Sequence, residues 1–389
     1  MINAFHFSCE GESHKATNKV CQDYSLTSIK DGLAVAVVCD GHGGERYFRS
    51  DIGAKYAAEI TLDVVSLFVE NIDQNIFVNI PYTAIGPTST IDDAEQLSEI
   101  DKAFRRLFSS IIYKWNEKID VHAKTTALSD WELKNVPQKY RDEFAEAKSL
   151  EKLYGCTLMA YVQTDKYWFA FHIGDGKCIS FQNDPIWKEP IPWDERCFLN
   201  KTTSLCDASA IEEFRYCYQG NGEFPIAVFL GSDGLDDSFG EDENLVNFYI
   251  QIMKMLEKDG IEATSKSIQE DLPQLSAIGS KDDMSIAFVY DTKYLSAHVT
   301  KLIQYQLQLV TDSIHQVDEK AKSLSEKLVS LKDVSDKDEK TKIEATYAKQ
   351  DLERANENRQ KLLLRFDSLE QQLSLNITSN LNEEINGEN

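Results

Sequence analysis

Four aspartates, each in a short turn against an apolar run, constrain this chain more than any other feature. Asp40 closes Leu33-Ala34-Val35-Ala36-Val37-Val38-Cys39, and Asp175 follows Tyr167-Trp168-Phe169-Ala170-Phe171-His172-Ile173. Asp233 follows Ile226-Ala227-Val228-Phe229-Leu230-Gly231-Ser232, while Asp282 precedes Ser285-Ile286-Ala287-Phe288-Val289-Tyr290. Runs of that length, rich in branched and aromatic residues and bounded by turns, predict strands. If the last strand runs antiparallel to those carrying Asp40 and Asp233, the carboxylates gather at one end of a sheet. Like charges in close contact repel and raise one another's pKa. Such a cluster calls for a hard divalent cation with oxygen ligands.

A chain of 389 residues suggests one large domain with an appendage, or two domains. Hydrophobic residues at 42% and aromatics at 10% indicate a globular protein. The formal charge of -24 argues against sequence-independent nucleic-acid binding, which needs a basic surface, and favours neutral or basic partners. The start, Met1-Ile2-Asn3-Ala4-Phe5-His6, lacks a basic stretch followed by a long apolar one. No run approaches the ~18 residues needed to span a bilayer. These features predict a cytoplasmic protein with no membrane partner. Eight cysteines occur without a C-x-x-C pair, and Cys39 and Cys156 lie in or beside apolar runs, which suits reduced core thiols.

Tyr24 to Ile29 and Leu33 to Cys39 flank Lys30-Asp31-Gly32, a strong hairpin signal. Arg46 to Glu70 reads as a helix with apolar positions at Ile52, Tyr56, Ile60, Val64 and Leu67. A second helix is expected over Asp101 to Lys118, where Phe104, Phe108, Ile111, Trp115 and Ile119 recur at intervals of three and four. Residues 125–152 are charged and weakly periodic, a surface helix and loop. Strands resume at Cys156 to Gln163 and Tyr167 to Ile173. Between Asn183 and Gly222, Pro185, Pro190, Pro192 and polar turns suggest an excursion from the sheet.

Beyond Tyr290 the pattern becomes heptad-like. Ile303, Leu307, Val310, Ile314, Val317, Ala321, Leu324, Leu328 and Leu331 form one seam. After a polar break at 334–338, a second seam runs through Ala345, Ala348, Leu352, Ala355, Arg359, Leu362, Phe366, Leu369 and Leu373. A short connection makes the two helices antiparallel neighbours. Such a coiled-coil hairpin either packs on itself or its own domain, or serves as an arm for self-association or a protein partner. The segment 377–389, rich in Asn and Glu, is expected to be disordered.

Asp40-Gly41-His42-Gly43-Gly44, Gly155-Cys156-Thr157, Gly174-Asp175-Gly176-Lys177, Ser232-Asp233-Gly234-Leu235-Asp236-Asp237 and Lys281-Asp282-Asp283-Met284-Ser285 occur in that order. In this the chain resembles the metal-dependent, type 2C protein serine/threonine phosphatases, and in particular their bacterial members, from its start to about Tyr290. The resemblance implies an α+β fold of two stacked, mainly antiparallel sheets flanked by helices over residues 1–293. It places a substrate-selecting flap at 183–222, with the helical hairpin following at 294–376. It also implies hydrolysis of phosphoserine and phosphothreonine on proteins, with two Mg2+ or Mn2+ ions as cofactors.

Residue by residue, the resemblance makes Asp40 the carboxylate shared by both ions, with the Gly41 carbonyl as a further ligand. Asp233 and Asp282 complete the other shell, and Asp175 with Asp237 holds a third, weaker ion. His42 is the expected general acid, a role its imidazole suits because its ordinary pKa lies near operating pH. Asp23 would orient water at the metals, and Gln22 stands where many relatives carry a glutamate. Where many members have an arginine that grips phosphate, this chain has Asn18. Lys15, Lys19 and His14 are the nearby replacements, a lysine acting as a point charge.

The competing reading for each aspartate is a turn or cap residue. At the level of the whole protein it is a catalytically silent scaffold that binds partners through its helical tail. A calcium-binding module is opposed by the missing EF-hand loop pattern. A cysteinyl-phosphate mechanism is opposed by the lack of a loop placing arginine six residues after cysteine.

Overall fold

Asp31 and Gly32 both adopt positive φ, 52° and 81°, and so close a tight hairpin between β2 (Tyr24–Lys30) and β3 (Leu33–Cys39). Two-residue turns of this kind match the twist of the strands they join. The computed structural model describes residues 1–87, 97–197, 201–332 and 339–387. The chain divides into two compact units, Met1–Ser296 and Ala297–Asn389.

The remaining strands are β1 (Ile2–Cys9), β4 (Thr83–Ile85), β5 (Leu158–Gln163), β6 (Trp168–Ile173), β7 (Lys177–Phe181), β8 (Trp187–Lys188), β9 (Arg215–Gln219), β10 (Ala227–Gly231) and β11 (Met284–Asp291). They form two antiparallel sheets, ordered β1-β11-β10-β7-β8 and β2-β3-β5-β6-β9-β4. The expected antiparallel relation of the last strand holds for β10, with Val228 opposite Val289. β3 lies in the other sheet, so the aspartates do not share one sheet as the sequence suggested.

The reason is visible in β3. Val35, Val37 and Cys39 point to a helix-covered core, whereas Ala34, Ala36 and Val38 join a second core with Val228, Leu230, Ala287 and Val289 of the opposite sheet. Both faces are buried, and the small alanines lie between the sheets. A strand buried on both faces carries no polar alternation to announce a second sheet.

Short helices α1 (Glu12–Thr17), α4 (Asp130–Asn135), α5 (Gln138–Ala145), α6 (Leu150–Leu153), α7 (Ala210–Glu213) and α8 (Asp233–Asp236) punctuate the first unit. Two long ones, α2 (Ser50–Asn71) and α3 (Glu99–Thr125), cover the β3 sheet. Every periodic position expected of α3 is buried, and Ser98 and Asp101 cap its start reciprocally. On the opposite sheet, α9 (Asp242–Ile278) stacks Tyr249 on Phe229 with ring centroids 4.4 Å apart. Residues 215–219 are not part of an excursion. Tyr216 and Tyr218 of β9 pack on Phe104, and β9 lies between β6 and β4.

In the second unit, α10 (Thr292–Lys332), which begins just before the unit boundary, pairs antiparallel with α11 (Glu339–Gly387). Arg359 Nε binds Asp318 at 2.5 Å, Lys327 binds Glu344 at 2.8 Å and Thr300 binds Asn376 at 3.1 Å. All eighteen seam positions named above are buried or half-buried. The helix continues to Gly387, past position 376 where the composition suggests an end. The break expected at 334–338 lies outside the described residues. No described helix is long and apolar enough to cross a membrane.

Candidate active site

The turns at one end of the two sheets meet in a cleft of about 960 Å³. Its walls include Gln22, Asp23, Asp40, Gly41, His42, Asp175, Asp233, Asp237, Asp282 and His14. The β3 sheet supplies Asp40 after β3, Asp175 after β6 and Asp23 before β2; the other sheet supplies Asp233 after β10 and Asp282 before β11.

Backbone bonds lock the Asp40 turn. The Thr157 amide donates to the Asp40 carbonyl at 2.8 Å, the Asp40 amide to Thr157 Oγ1 at 3.0 Å and the Gly41 amide to the Gln22 carbonyl at 3.1 Å. A Cβ on residue 41 would stand 2.5 Å from that carbonyl and 2.8 Å from the Ser50 carbonyl, so only glycine fits. Gly174, before Asp175, is held through its carbonyl by the buried Arg215 guanidinium, Nη2 at 2.5 Å.

The electrostatics are lopsided. Asp40 is pushed far above the usual carboxylate range by burial and then by Asp233, Asp23 and Asp175. Asp23 rises similarly, through burial, Asp283 and Asp233; the hydroxyls of Ser232 and Ser285 offset this only in part. Its Oδ2 is buried without a hydrogen-bond partner. Burial and Asp233 raise Asp175 to about 6. Buried carboxylates with an orphaned oxygen fit a cation that neutralises them. Among the described residues, no three acidic, histidine or cysteine side chains form a ready-made ligand set for one ion. One or two carboxylates with carbonyl oxygen and water would therefore share each ion, a common arrangement for magnesium.

Asp283 plays a different part from its neighbour Asp282. It accepts from the Gly11 amide at 2.7 Å and the Gln22 amide at 2.6 Å, and pairs with His14 Nδ1 at 2.8 Å. Burial opposes its ionisation, but these partners outweigh burial and hold its pKa below the ordinary value. In return Asp283 raises His14. Gln22 is equally occupied, its amide nitrogen donating to the His42 carbonyl at 3.1 Å and Ser50 Oγ at 2.5 Å.

The cations named from sequence are not on the cleft wall, apart from His14. Lys15 pairs with Glu12 at 3.7 Å, and Lys19 Nζ donates to the Gly43 carbonyl at 2.7 Å. The cleft instead receives Arg196 and Lys201, together with Thr202, Thr203, Ser204 and Asp207, from the 183–222 segment. Arg196 is paired with Asp194 at 2.7 Å and Glu213 at 2.5 Å. No motif identifies these residues singly; the turn-rich composition and the substrate-selecting flap implied by the resemblance mark only the segment that holds them.

His42 Nε2 lies 2.7 Å from Ser204 Oγ, and its ring packs edge-on against Tyr47 at 4.8 Å. Burial lowers its pKa to about 4, with Asp207 opposing and Lys152 assisting.

The sequence profile described as protein phosphatase 2C matches residues 10–273, and the chain belongs to that family. Among solved structures, the serine/threonine phosphatase Stp1 from Staphylococcus aureus is 17% identical over 75% of this chain and 95% of its own, with a TM-score of 0.43. PppA, a regulatory component of T6SS in Pseudomonas aeruginosa, is 15% identical over 74% and 97%, with a TM-score of 0.41. The catalytic domain of the phosphatase PstP, solved with two manganese ions, is 12% identical over 75% and 99%, with a TM-score of 0.40. No curated protein matches the chain.

Proposed function

We propose that the protein hydrolyses phosphoserine and phosphothreonine on other proteins, with Mg2+ or Mn2+ as cofactor. The observation that carries this reading is the gathering of Asp23, Asp40 and Asp175 in one cleft, where burial and neighbouring carboxylates raise all three above the ordinary carboxylate pKa. Asp40, the Gly41 carbonyl, Asp233 and Asp282 would hold two ions, and Asp175 with Asp237 a third. Bound there, the ions would neutralise phosphoryl charge and lower the pKa of water.

The chain's own groups do the rest. Asp23, with one carboxylate oxygen free, can accept a proton or hydrogen bond from water in the cleft. His42 is neutral at rest, and a phosphate dianion entering the cleft favours the imidazolium by placing negative charge beside it. The protonated ring can then donate to the departing serine or threonine oxygen. Lys201 makes no ion pair among the described residues and lines the cleft where a substrate phosphate would enter. Retention of Asp40, Asp233 and Asp282 together disfavours a silent scaffold. The helical pair carries none of these groups, so a partner bound through it would choose where the enzyme acts without altering the chemistry.

Hydrolysis of a phosphoserine peptide by the full chain, with manganese and then with excess chelator, tests the reading. Manganese-dependent phosphate release is expected. Turnover that is absent under both conditions, or unchanged by chelation, would sink it.

A further inference from the structure

Ser204 lies in the 183–222 segment and is almost fully buried. Its hydroxyl is 3.0 Å from the Cys156 carbonyl, which can only accept, and 2.7 Å from His42 Nε2. A serine has one proton to give and lone pairs to receive with. With that proton on the Cys156 carbonyl, the partner of His42 is a Ser204 lone pair, and Nε2 carries the ring hydrogen. The Cys206 amide, 3.3 Å away, also donates to Ser204 Oγ.

The serine is itself fixed. Its amide donates to Asp207 Oδ2 at 2.9 Å, and Asp207 Oδ1 is bound by Lys152 at 3.0 Å. No described residue hydrogen-bonds His42 Nδ1. Tyr47, edge-on to the ring, limits its rotation.

We infer that Ser204 is the positioning residue for His42, holding the ring through Nε2–H so that Nδ1 is the nitrogen that exchanges protons with substrate. The inference rests on the phosphatase reading. As water oxygen bonds to phosphorus and loses a proton to solvent, the phosphorus–oxygen bond to the side chain breaks and its electron pair stays on the leaving oxygen. That oxygen takes the Nδ1 proton. The ring returns to neutral with its Nε2 hydrogen still on Ser204, and Nδ1 regains a proton from water. The partner of a histidine nitrogen selects the tautomer, and a wrong tautomer disables otherwise intact geometry.

Two measurements on the full chain test this. Long-range proton–nitrogen NMR reads the tautomer of His42, whose signal among the seven histidines is identified by its loss in His42→Ala. The wild type should show Nε2 protonated and Nδ1 bare, and Ser204→Ala should give a mixture of tautomers. An unchanged single tautomer in Ser204→Ala overturns the inference, whatever the protein hydrolyses.

In turnover with manganese, Ser204→Ala should lower kcat on a phosphoserine peptide on the order of 10-fold, part of what a general acid supplies. KM should stay unchanged, an aryl phosphate should lose about 2-fold or less, and Ser204→Ala added to His42→Ala should cost nothing further. Equal losses on both esters, or additive losses in the double variant, would show a merely structural serine. Absence of turnover in the wild type would count against the phosphatase reading, and the tautomer measurement would still decide the hold of Ser204 on His42.

Discussion

Arg49 grips Glu132 with two donors, Nε to Oε1 at 2.6 Å and Nη2 to Oε2 at 3.2 Å, in a place where Arg49 is 1% exposed. The same guanidinium donates to the carbonyls of Thr126 and Ala127 and to the Tyr154 hydroxyl. It stands one residue before Ser50, which receives the Gln22 amide. Removing one member of a buried pair leaves the other charge uncompensated, at a cost of about 3–5 kcal/mol. Glu132→Ala should therefore lower the unfolding free energy read from urea denaturation by that amount, whereas an exposed Glu262→Ala should leave it within ~0.5 kcal/mol. A loss below 1 kcal/mol would show that water replaces the carboxylate. The Glu132 pKa is lowered: burial opposes this, but its bonds from Arg49 prevail. Its stabilising contribution is thus present above the unfolded carboxylate pKa and disappears as pH falls through the folded one.

Asp40→Asn removes a charge from the centre of the cluster and should act in opposite directions on stability and activity. Without added metal, the melting temperature should hold or rise, because Asp40 is crowded by Asp233, Asp23 and Asp175. Manganese-stimulated turnover should fall by several orders of magnitude. A variant that keeps wild-type turnover would remove Asp40 from the metal-binding role.

The raised carboxylates tie stability to pH and to cation together. Asp175 binds its proton up to about pH 6 in the folded state, and Asp23 and Asp40 are displaced in the same direction. A group whose folded pKa is raised stabilises the fold most below its unfolded pKa and ceases to do so as pH rises through the folded value. Metal-free protein should accordingly lose stability on going from pH 4 towards neutrality through these groups. Manganese should restore it, with a larger gain in melting temperature at pH 7.5 than at pH 5. Equal gains at both values, in calorimetry with and without chelator, would contradict a carboxylate site for the ion.

His42→Ala should cost on the order of 10²–10⁴ in kcat for an alkyl phosphate, the usual contribution of a general acid. A phenolate departs without a proton, so an aryl phosphate should suffer far less. Identical losses on both substrates would mean that His42 positions the turn only.

How much of this could be read beforehand follows from what each residue must satisfy locally. Asp40, Asp175, Asp233 and Asp282 were legible because a turn aspartate at the end of an apolar run is a local pattern, and their meeting in one cleft follows from the strands that carry them. The periodic face of α3 was legible for the same reason. The stacking of two sheets is implied by the family resemblance and not by local pattern, since β3 is apolar on both sides and names no partner. α9 is masked in the sequence because Gly260, with φ 79°, and Pro273 are stop signals that lie inside it. Ser204 is a polar residue in an aperiodic segment, and its value depends on a histidine 162 positions away.

Because β3 and β10 belong to different sheets, Asp40 and Asp233 become neighbours only once the sheets have closed on each other. On the metal-binding role proposed above, neither sheet alone would hold the cation well, and a hairpin excised from either would carry a fragment of the site without its affinity. Ion binding should then oppose whole-domain opening rather than local fraying, slowing amide exchange in β3 and β10 alike. In the cell this would make metal occupancy a late event in maturation, one that follows assembly of the core and marks a chain whose two layers have come together.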